Sequence, residues 1–520
     1  MAQDAAALFV DWDNDGAFTG TGENVTGRTM HLTWERGRDR SSQLVGKSIG
    51  GRLVAVLNNA SGDYSSFNES SPLTGNILPG RKVRVETGAD ASFPYTFPIV
   101  WGGNTLWEGF LQRVTPISRV NQPKTAILEA WGPLAYLNED KVQLPMATNK
   151  ATGTAIGEVL DEASWPPGDR TIDTGKTTMD RYWADRQRTL SALRLFEDTE
   201  GGFLTESKDG KVVFQDRHFR LVSPRTTSQA TWSDAVSAAN TYRRIGQFDE
   251  LAGIFNDFEV EIQTYTVAAL ATLWTLSESG SSSPPLAPGE AKTFWARHPT
   301  PDSATDAWAV DAWTTPVEND DYDANTNSDG SGLDVSADIA VAVSKFANAM
   351  KITLTNNGTV SCFITLLRAR GTSVTRNDPV RKTADDSASQ TAYGIRTFPS
   401  RARFVPDTDE GQAWGDFNLS IHKDPQPVIQ VEVVAGVTPG NTDQVITRDI
   451  SERVTIVGTG KSKLGYNEDF FIERIKHIAV PGGLLRAIFD LSPATGYSGF
   501  WTLGVSKLGG TATSATRLAY

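Results

Sequence analysis

Short stretches in which apolar and polar residues alternate dominate the first 130 positions of the chain. Four of them lie at 31–34, 53–57, 83–86 and 126–131. Turn sequences such as Pro79-Gly80 separate them. Because successive side chains of a strand point to opposite faces, this spacing indicates half-buried strands. The region 1–145 is therefore predicted as a β-barrel.

The pattern changes to a helical period after position 146. Apolar residues at 156, 159, 160 and 163 fall on one helix face, and Thr154 is the expected N-cap. A second helix is expected to begin at the cap Thr189 and to end at Gly201. Asp209-Gly210 then supplies the positive φ angles of a tight hairpin. The region 146–240 is predicted as an α+β module.

Strand signals return after this module and are interrupted once. The segment 277–288 is rich in serine and proline, which is typical of a linker. We therefore predict that 265–400 is an inserted β-sandwich and that 241–264 and 401–520 together form a second β-barrel. No repeat with a period of 20 to 50 residues runs along the chain, so solenoid and propeller folds are not supported.

Composition narrows the functional classes. The 520 residues carry 49 Lys and Arg against 62 Asp and Glu, a net charge of -13, which disfavours a protein that grips phosphate backbones. A single cysteine, Cys362, excludes an intramolecular disulfide. No apolar stretch approaches the roughly 18 residues of a membrane helix, and no export signal is evident. A soluble protein without specific nucleic-acid binding is expected.

One acidic pattern leaves two interpretations open. Asp11, Asp13 and Asp15 precede Gly16 in the spacing of the first half of a calcium loop, but the closing glutamate and the flanking helix are missing. A turn in which carboxylates accept backbone N–H groups is the favoured alternative. No metal site is assigned.

Other motifs give no catalytic site and no cofactor. The triplets at 46–48 and 460–462 read Gly-Lys-Ser but lack the earlier glycine of a phosphate-binding loop. The five histidines are interpreted as structural or surface residues. Tryptophans 295, 308 and 313 suit either a domain core or stacking on sugars, with core filling favoured. The chain is predicted not to be an enzyme.

A set of turn motifs gives the chain a family resemblance. The motifs are the segments 13–18, 36–38, 57–58 with 62–64, 78–83 and 106–110, together with the helix and hairpin at 189–214 and the ending 500–504. Their order resembles that of tail-tip and baseplate-hub proteins of long-tailed bacteriophages and prophages, over about three quarters of the chain.

The resemblance implies two tail-tube-like β-barrels in one chain, with the α+β module between them. It also implies a virion structural protein of the tail tip: a homotrimeric baseplate hub that adapts a sixfold tail tube to a threefold tip and forms part of the DNA exit channel. Its implied partners are tail-tube or distal tail proteins, the tape measure and a central spike or fibre. Binding of a host-surface glycan by the insert is left open. The alternative is a carbohydrate-binding or polysaccharide-degrading surface protein.

Overall fold

The computed structural model describes residues 6–38, 47–87, 104–118, 123–235, 237–248, 253–276, 282–298, 307–402, 404–405, 407–425, 427–479, 485–497, 500–501 and 517–518. Strands far outnumber helices in these segments, which confirms the predicted fold class, mainly β with a smaller α+β module. Among the described residues, no helix has the length and apolar character needed to cross a membrane.

The described residues before 132 contain six strands, which include the four predicted stretches. They are β1 (Ala6–Val10), β2 (Thr29–Gly37), β3 (Ile49–Asn58), β4 (Lys82–Thr87), β5 (Thr105–Ile117) and β6 (Thr125–Trp131). Alternate residues of β1, β4 and β6 are buried, as the period-2 pattern predicts. The turn before β4 places Gly80 at a φ of 83°, where glycine is favoured.

The α+β module follows directly. Its elements are α1 (Pro133–Leu137), β7 (Lys141–Ala151), α2 (Thr152–Glu162), β8 (Arg170–Ile172), β9 (Thr178–Arg188), α3 (Thr189–Glu200), β10 (Phe203–Glu206) and β11 (Val212–Gln215). Both predicted helices are present, and α3 ends at Gly201 as expected. The caps differ from the prediction: Ala151 and Arg188 precede the helices, because α2 and α3 each begin immediately at the end of a strand.

The remaining elements alternate between the second β region and the insert. They are β12 (Ala230–Ser233), β13 (Arg244–Phe248), β14 (Asp257–Ile262), β15 (Tyr265–Val267), β16 (Ala271–Thr275), β17 (Pro285–Leu286), β18 (Ala291–Arg297), β19 (Ala307–Trp313), β20 (Tyr322–Asn325), β21 (Ile339–Lys345), β22 (Ala349–Asn356), β23 (Cys362–Arg376), β24 (Val380–Asp385), α4 (Ser387–Tyr393), β25 (Thr397–Ala402), α5 (Thr408–His422), β26 (Val428–Val434), α6 (Pro439–Thr447), β27 (Arg453–Val457), β28 (Asn467–Ala479), β29 (Arg486–Pro493), β30 (Phe500–Trp501) and β31 (Arg517–Leu518).

The insert is a two-sheet structure around its own core. A six-stranded sheet centred on β23 faces the three-stranded sheet β18-β22-β21, and Leu286, Ile352 and Leu367 are buried between them. The serine- and proline-rich segment is therefore not linker throughout, because Leu286 of β17 is part of this core; residues 277–281 lie outside the described segments. The insert also packs against the α+β module, whose apolar core includes Ala309 and Ala347.

Strand pairing divides the chain differently from the predicted boundaries in three places. β12, within the predicted module 146–240, pairs with β27 of the second β region. β14, within predicted barrel segment 241–264, pairs instead with β24 and β25 in a separate three-stranded sheet. β24 and most of β25 fall inside the predicted insert 265–400. Sequence proximity misled here, because these partners are brought together from more than 100 residues apart.

Candidate functional site

Two six-stranded units with the same strand order occur in one twelve-stranded sheet. The first unit, β1 to β6, has the order β1-β4-β5-β6-β3-β2, and the second unit has the order β12-β27-β28-β29-β26-β13. Taken in chain order, both read first, fourth, fifth, sixth, third, second. The units differ at one pairing: β1 is antiparallel to β4, whereas β12 is parallel to β27.

The equivalence extends to individual residue pairs. Phe110 pairs with Trp131 in the first unit, and Phe471 pairs with Ser492 in the second. Positions 110 and 471 are separated by the same number of residues as positions 131 and 492. A β-bulge follows each phenylalanine at the same position, between 111 and 113 and between 472 and 474. Register and bulge therefore identify residues that occupy the same place in the two units.

Equivalent positions also keep the same charges. Arg113 pairs with Glu129 at 2.5 Å, and the equivalent Arg474 pairs with Asp490 at 3.3 Å. A second ion pair is repeated in the same way. Lys82 lies 3.7 Å from Glu108 in the first unit, and the equivalent Arg453 lies 2.8 Å from Asp469 in the second. The two units are thus duplicates in topology, in register and in part of their surface chemistry.

We call the place where the units meet the seam: it is the antiparallel pairing of β2 with the second half of β28. Its register runs from Leu32 opposite Ala479 to Gly37 opposite Arg474. On the core face, the Trp34 ring stacks on the His477 imidazole with centroids 4.8 Å apart. On the other face, Arg474 donates to the Glu35 carboxylate. The seam makes the two sheets one continuous surface.

A buried ion cluster fixes the seam to the α+β module. The carboxylate of Glu473, the bulge residue of β28, receives two hydrogen bonds from the Arg220 guanidinium at 2.6 and 3.0 Å and one from the Ser492 hydroxyl at 2.6 Å. Arg38, which directly follows β2, lies 3.9 Å away. Burial alone would raise the pKa of Glu473, but the Arg220 and Arg38 charges outweigh it and hold the pKa below its usual value. One carboxylate therefore links three parts of the fold.

Two buried histidines stay neutral near the seam. Burial is the main cause that lowers the pKa of His477 and of His422 to about 4 each, and the Nε2–H of His477 donates to the Val445 carbonyl at 2.9 Å. Since both groups would gain a proton on unfolding below pH 6.5, the unfolded chain binds more protons between pH 6.5 and 4. Stability from neutral imidazole is therefore full above pH 6.5 and falls as the pH drops towards 4.

We expect His477→Phe to reduce the loss of stability between pH 6.5 and 4. The variant keeps an aromatic ring on Trp34 but cannot take up a proton, so the loss between pH 6.5 and 4 should shrink by about 3 kcal/mol. Urea unfolding at pH 7, 5.5 and 4.5 measures the change. His31→Phe, at an exposed position, is the matched control and should leave the profile as it is. An unchanged acid slope in the His477 variant would contradict the assignment.

Glu206 shifts stability in the opposite sense. Burial raises its pKa to about 7, although its carboxylate accepts the backbone N–H groups of Gly51 and Leu134 at 2.6 and 2.7 Å. A raised acid pKa adds stability below pH 4.5 that is lost as the pH rises through 7. Comparison of the His477 variant with the parent chain cancels this contribution, because Glu206 is present in both.

The face of the large sheet opposite its apolar core carries alternating, paired charges. Carboxylates on this face are each bridged by basic side chains: Glu129 by Arg52 and Arg113, Glu432 by Arg243 and Arg486, and Glu35 by Arg474 and Lys476. Arg113 is the largest cause that lowers the pKa of Glu129. The face is a mosaic of both signs along the described strands.

The acidic pattern near the N-terminus forms the predicted kind of turn. The Asp11 carboxylate accepts the backbone N–H groups of Asp15 and Gly16 at 3.2 and 3.1 Å, and Asp15 accepts that of Ala17 at 2.7 Å. The carboxylates of Asp11, Asp13 and Asp15 also lie within 4.8 Å of one another, which is close enough for one cation. The hydrogen bonds account for these residues as a turn, so no metal site is assigned.

The two Gly-Lys-Ser triplets do not form phosphate loops in the described residues. The backbone N–H groups of Gly460 and Ser462 donate to the Asp234 carboxylate at 3.1 and 2.7 Å, so an internal anion already occupies the turn. In the other triplet, Gly46 lies outside the described segments, and the Lys47 ammonium pairs with Asp198. For the triplet at 460–462, this agrees with the interpretation that it is not a phosphate-binding loop.

The tryptophans of the insert divide between its core and its surface. Trp313 is buried and its Nε1–H donates to the Phe346 carbonyl at 2.8 Å, as the core interpretation predicts. Trp295 is 46% exposed and stacks on Phe346 with centroids 5.9 Å apart, so it is not a core residue. The side chain of Trp308 lies outside the described part of the structure.

A cavity of about 210 Å³ lies beside the Glu473 cluster. Its wall includes Phe398, Trp414 and His422, together with Arg217, whose guanidinium donates to Thr177 and Glu410 at 2.8 and 3.2 Å. The residues that position this junction were not predicted from the sequence. Arg220 and Glu473, for example, are separated by 253 positions and carry no local motif.

Comparison with protein-family models and with curated proteins finds no match. Solved structures do align with the chain over most of its length. Tail proteins and components of type VI secretion systems are among them. The 43 kDa tail protein of prophage MuSo2 from Shewanella oneidensis aligns at 11% identity over 95% of this chain and 99% of its own, with a TM-score of 0.48. A tail protein from Neisseria meningitidis aligns at 8% identity over 94% and 96%, with a TM-score of 0.49.

A third alignment is with the prophage tail protein gp18 from Listeria monocytogenes. It has 7% identity, covers 94% of both chains and has a TM-score of 0.40. All three of these structures are described as tail proteins. Identities of this size concern the fold and assign no role to any residue of this chain.

Proposed function

We propose that this chain is a virion structural protein of a phage or prophage tail tip, a trimeric baseplate hub without enzymatic activity. The observation that carries the proposal is the duplicated six-stranded unit. Two equivalent units lie side by side in one sheet, so each copy of the chain supplies two neighbouring positions of a ring. Three copies supply six.

Ring closure by identical copies needs a heterologous interface, in which one edge of a copy meets a different edge of the next. The twelve-stranded sheet offers two different edges: β13 stands at one end of its main path, and the edge of β5 beyond Phe110 has no strand paired to it in the described residues. A six-position ring of this kind would match a sixfold tail tube on one side and a threefold tip on the other. Tail-tube or distal tail proteins, the tape measure and a central spike are its proposed neighbours.

The mosaic of paired charges supports a DNA exit channel. Tight, salt-sensitive DNA binding requires several basic side chains that are available to phosphates. On the described face, the arginines and lysines named above are already bridged to carboxylates, which favours passage over retention. Exposed Trp295 is the observation that favours a glycan contact by the insert, as an addition to the hub role.

We expect the purified chain to form a complex of three copies, three times its 56.4 kDa mass. Light scattering at micromolar concentration measures the mass, and end-on electron micrographs should show a ring with six similar lobes around an axial opening. A monomer with a carboxylate-lined cleft would contradict the hub and favour the polysaccharide-degrading alternative. Detection on the tails of intact particles, at the tip, would test the location.

A further inference from the structure

At the seam, β2 covers one edge of β28. The equivalent edge of β5 in the first unit has no such strand in the described residues of one copy. In the second unit, β27 covers the first part of β28 and β2 covers the rest, from 474 to 479. In the first unit, β4 covers the equivalent first part of β5 up to Phe110. Beyond this point no described strand pairs with that edge of β5.

Burial marks the same difference. Arg113, Thr115 and Pro116 of β5 are exposed although β5 lies inside the sheet order. Ile475, which β2 covers at the seam, is 1% exposed, whereas its equivalent Val114 is only partly buried at the margin of the core. The open edge of β5 thus has the apolar position of a seam without the strand that completes it.

The strand equivalent to β2 is β13. Both are the last strand of their unit, and the pairings with β3 and with β26 place Leu32 and Ile245 at equivalent positions. Leu32 is 2% exposed within the seam, whereas Ile245 is partly buried at the margin of the core. β13 is therefore the piece that fits the open edge of β5.

One copy cannot join these two strands. β13 ends the second unit, and β5 lies in the first unit with the seam between them. We propose that β13 of one copy pairs with residues 113–118 at the open edge of β5 in a second copy, and that this pairing repeats the seam between copies. This inference rests on the proposed ring and assigns the surface that closes it.

The seam also fixes the register. The seam pairs Leu32 with Ala479, so Ile245 of one copy should lie opposite Ser118 of the next. The seam also pairs Glu35 with Lys476, so Phe248 should lie opposite Thr115. At the position of His477 the first unit has Pro116, which has no N–H to donate, so the pairing between copies has one hydrogen bond fewer than the seam. A proline at this edge also restricts pairing with unrelated strands.

The test places cysteines at Thr115 and Phe248 in the full chain. Antiparallel partners that face each other lie within disulfide reach, with Cα atoms about 4.5–5.5 Å apart. Mild oxidation should give covalent dimers and trimers at least tenfold more efficiently than the control pair Thr115→Cys with Arg244→Cys, in which the second cysteine is displaced by roughly 13 Å along the strand. Native Cys362 is buried and is present in both variants.

Light scattering on the unoxidised variants separates two failures. If both variants form the ring but cross-link equally, the strand assignment is overturned while the hub remains. If neither forms a ring and the parent chain is also monomeric, the proposed function fails and this inference with it. Thermal melts that coincide with that of the parent chain establish that each variant is folded.

Discussion

Glu473→Gln is expected to destabilise the protein by about 3–5 kcal/mol, because it removes the negative charge that lies against the buried Arg220 and the partly buried Arg38. The amide is nearly the same size as the carboxylate, so the loss measures charge and not volume. Arg220 is the more affected partner, since it forms two of the hydrogen bonds to this carboxylate. Guanidinium unfolding, followed by tryptophan fluorescence and by circular dichroism, measures the change.

Asp63→Asn is the matched control for this experiment. It makes the same acid-to-amide change in a pair with Arg28, whose side chain is 45% exposed, and exposed pairs contribute less than about 1 kcal/mol. If the two variants lost equal stability, the Glu473 cluster would not be the link between the seam and the α+β module that its geometry indicates.

Trp34→Ala should cost about 3–5 kcal/mol through the cavity it leaves at the seam. The Trp34 ring is 1% exposed and contacts the His477 ring, so its loss affects the packing of both units at once. Trp34→Phe retains an aromatic ring at this place and is expected to lose less. Urea unfolding and the copy number by light scattering are the two measurements.

The same substitution at Trp295 serves as the control. That ring is 46% exposed, so Trp295→Ala should change stability by less than about 1 kcal/mol. A seam variant with unchanged stability would show that the two units are held together without the Trp34–His477 stack. If the Trp34 variant no longer formed the three-copy ring but lost little free energy of unfolding, the seam geometry would instead be identified as a requirement for ring closure.

Local alternation was sufficient to predict strands such as β3 and β26. Leu53, Ala55 and Leu57 of β3 are buried and so are Ile429, Val431 and Val433 of β26, as their spacing predicts. Helix caps were predicted less well, since a threonine near a helix start is a weak signal when a strand runs directly into the helix. Pairing over long distances could not be read from either pattern.

The duplication is hidden in the sequence for a physical reason. Equivalent positions conserve the role of a side chain more than its identity, as in Glu129 and Asp490 or Lys82 and Arg453. To recognise the duplication, the strand pairing must also be known, because the connection between the second and third strands differs in length between the two units. A search for a fixed period therefore misses it.

That connection has a consequence for the outline of the particle. Between β2 and β3 the chain uses residues 38–48, whereas between the equivalent β13 and β26 it uses residues 249–427, which include the whole insert and α5. In the proposed ring, equivalent connections leave the sheet at the same rim. Short connections and connections that carry the insert would then alternate around that rim, so three large bodies would stand on a six-membered base.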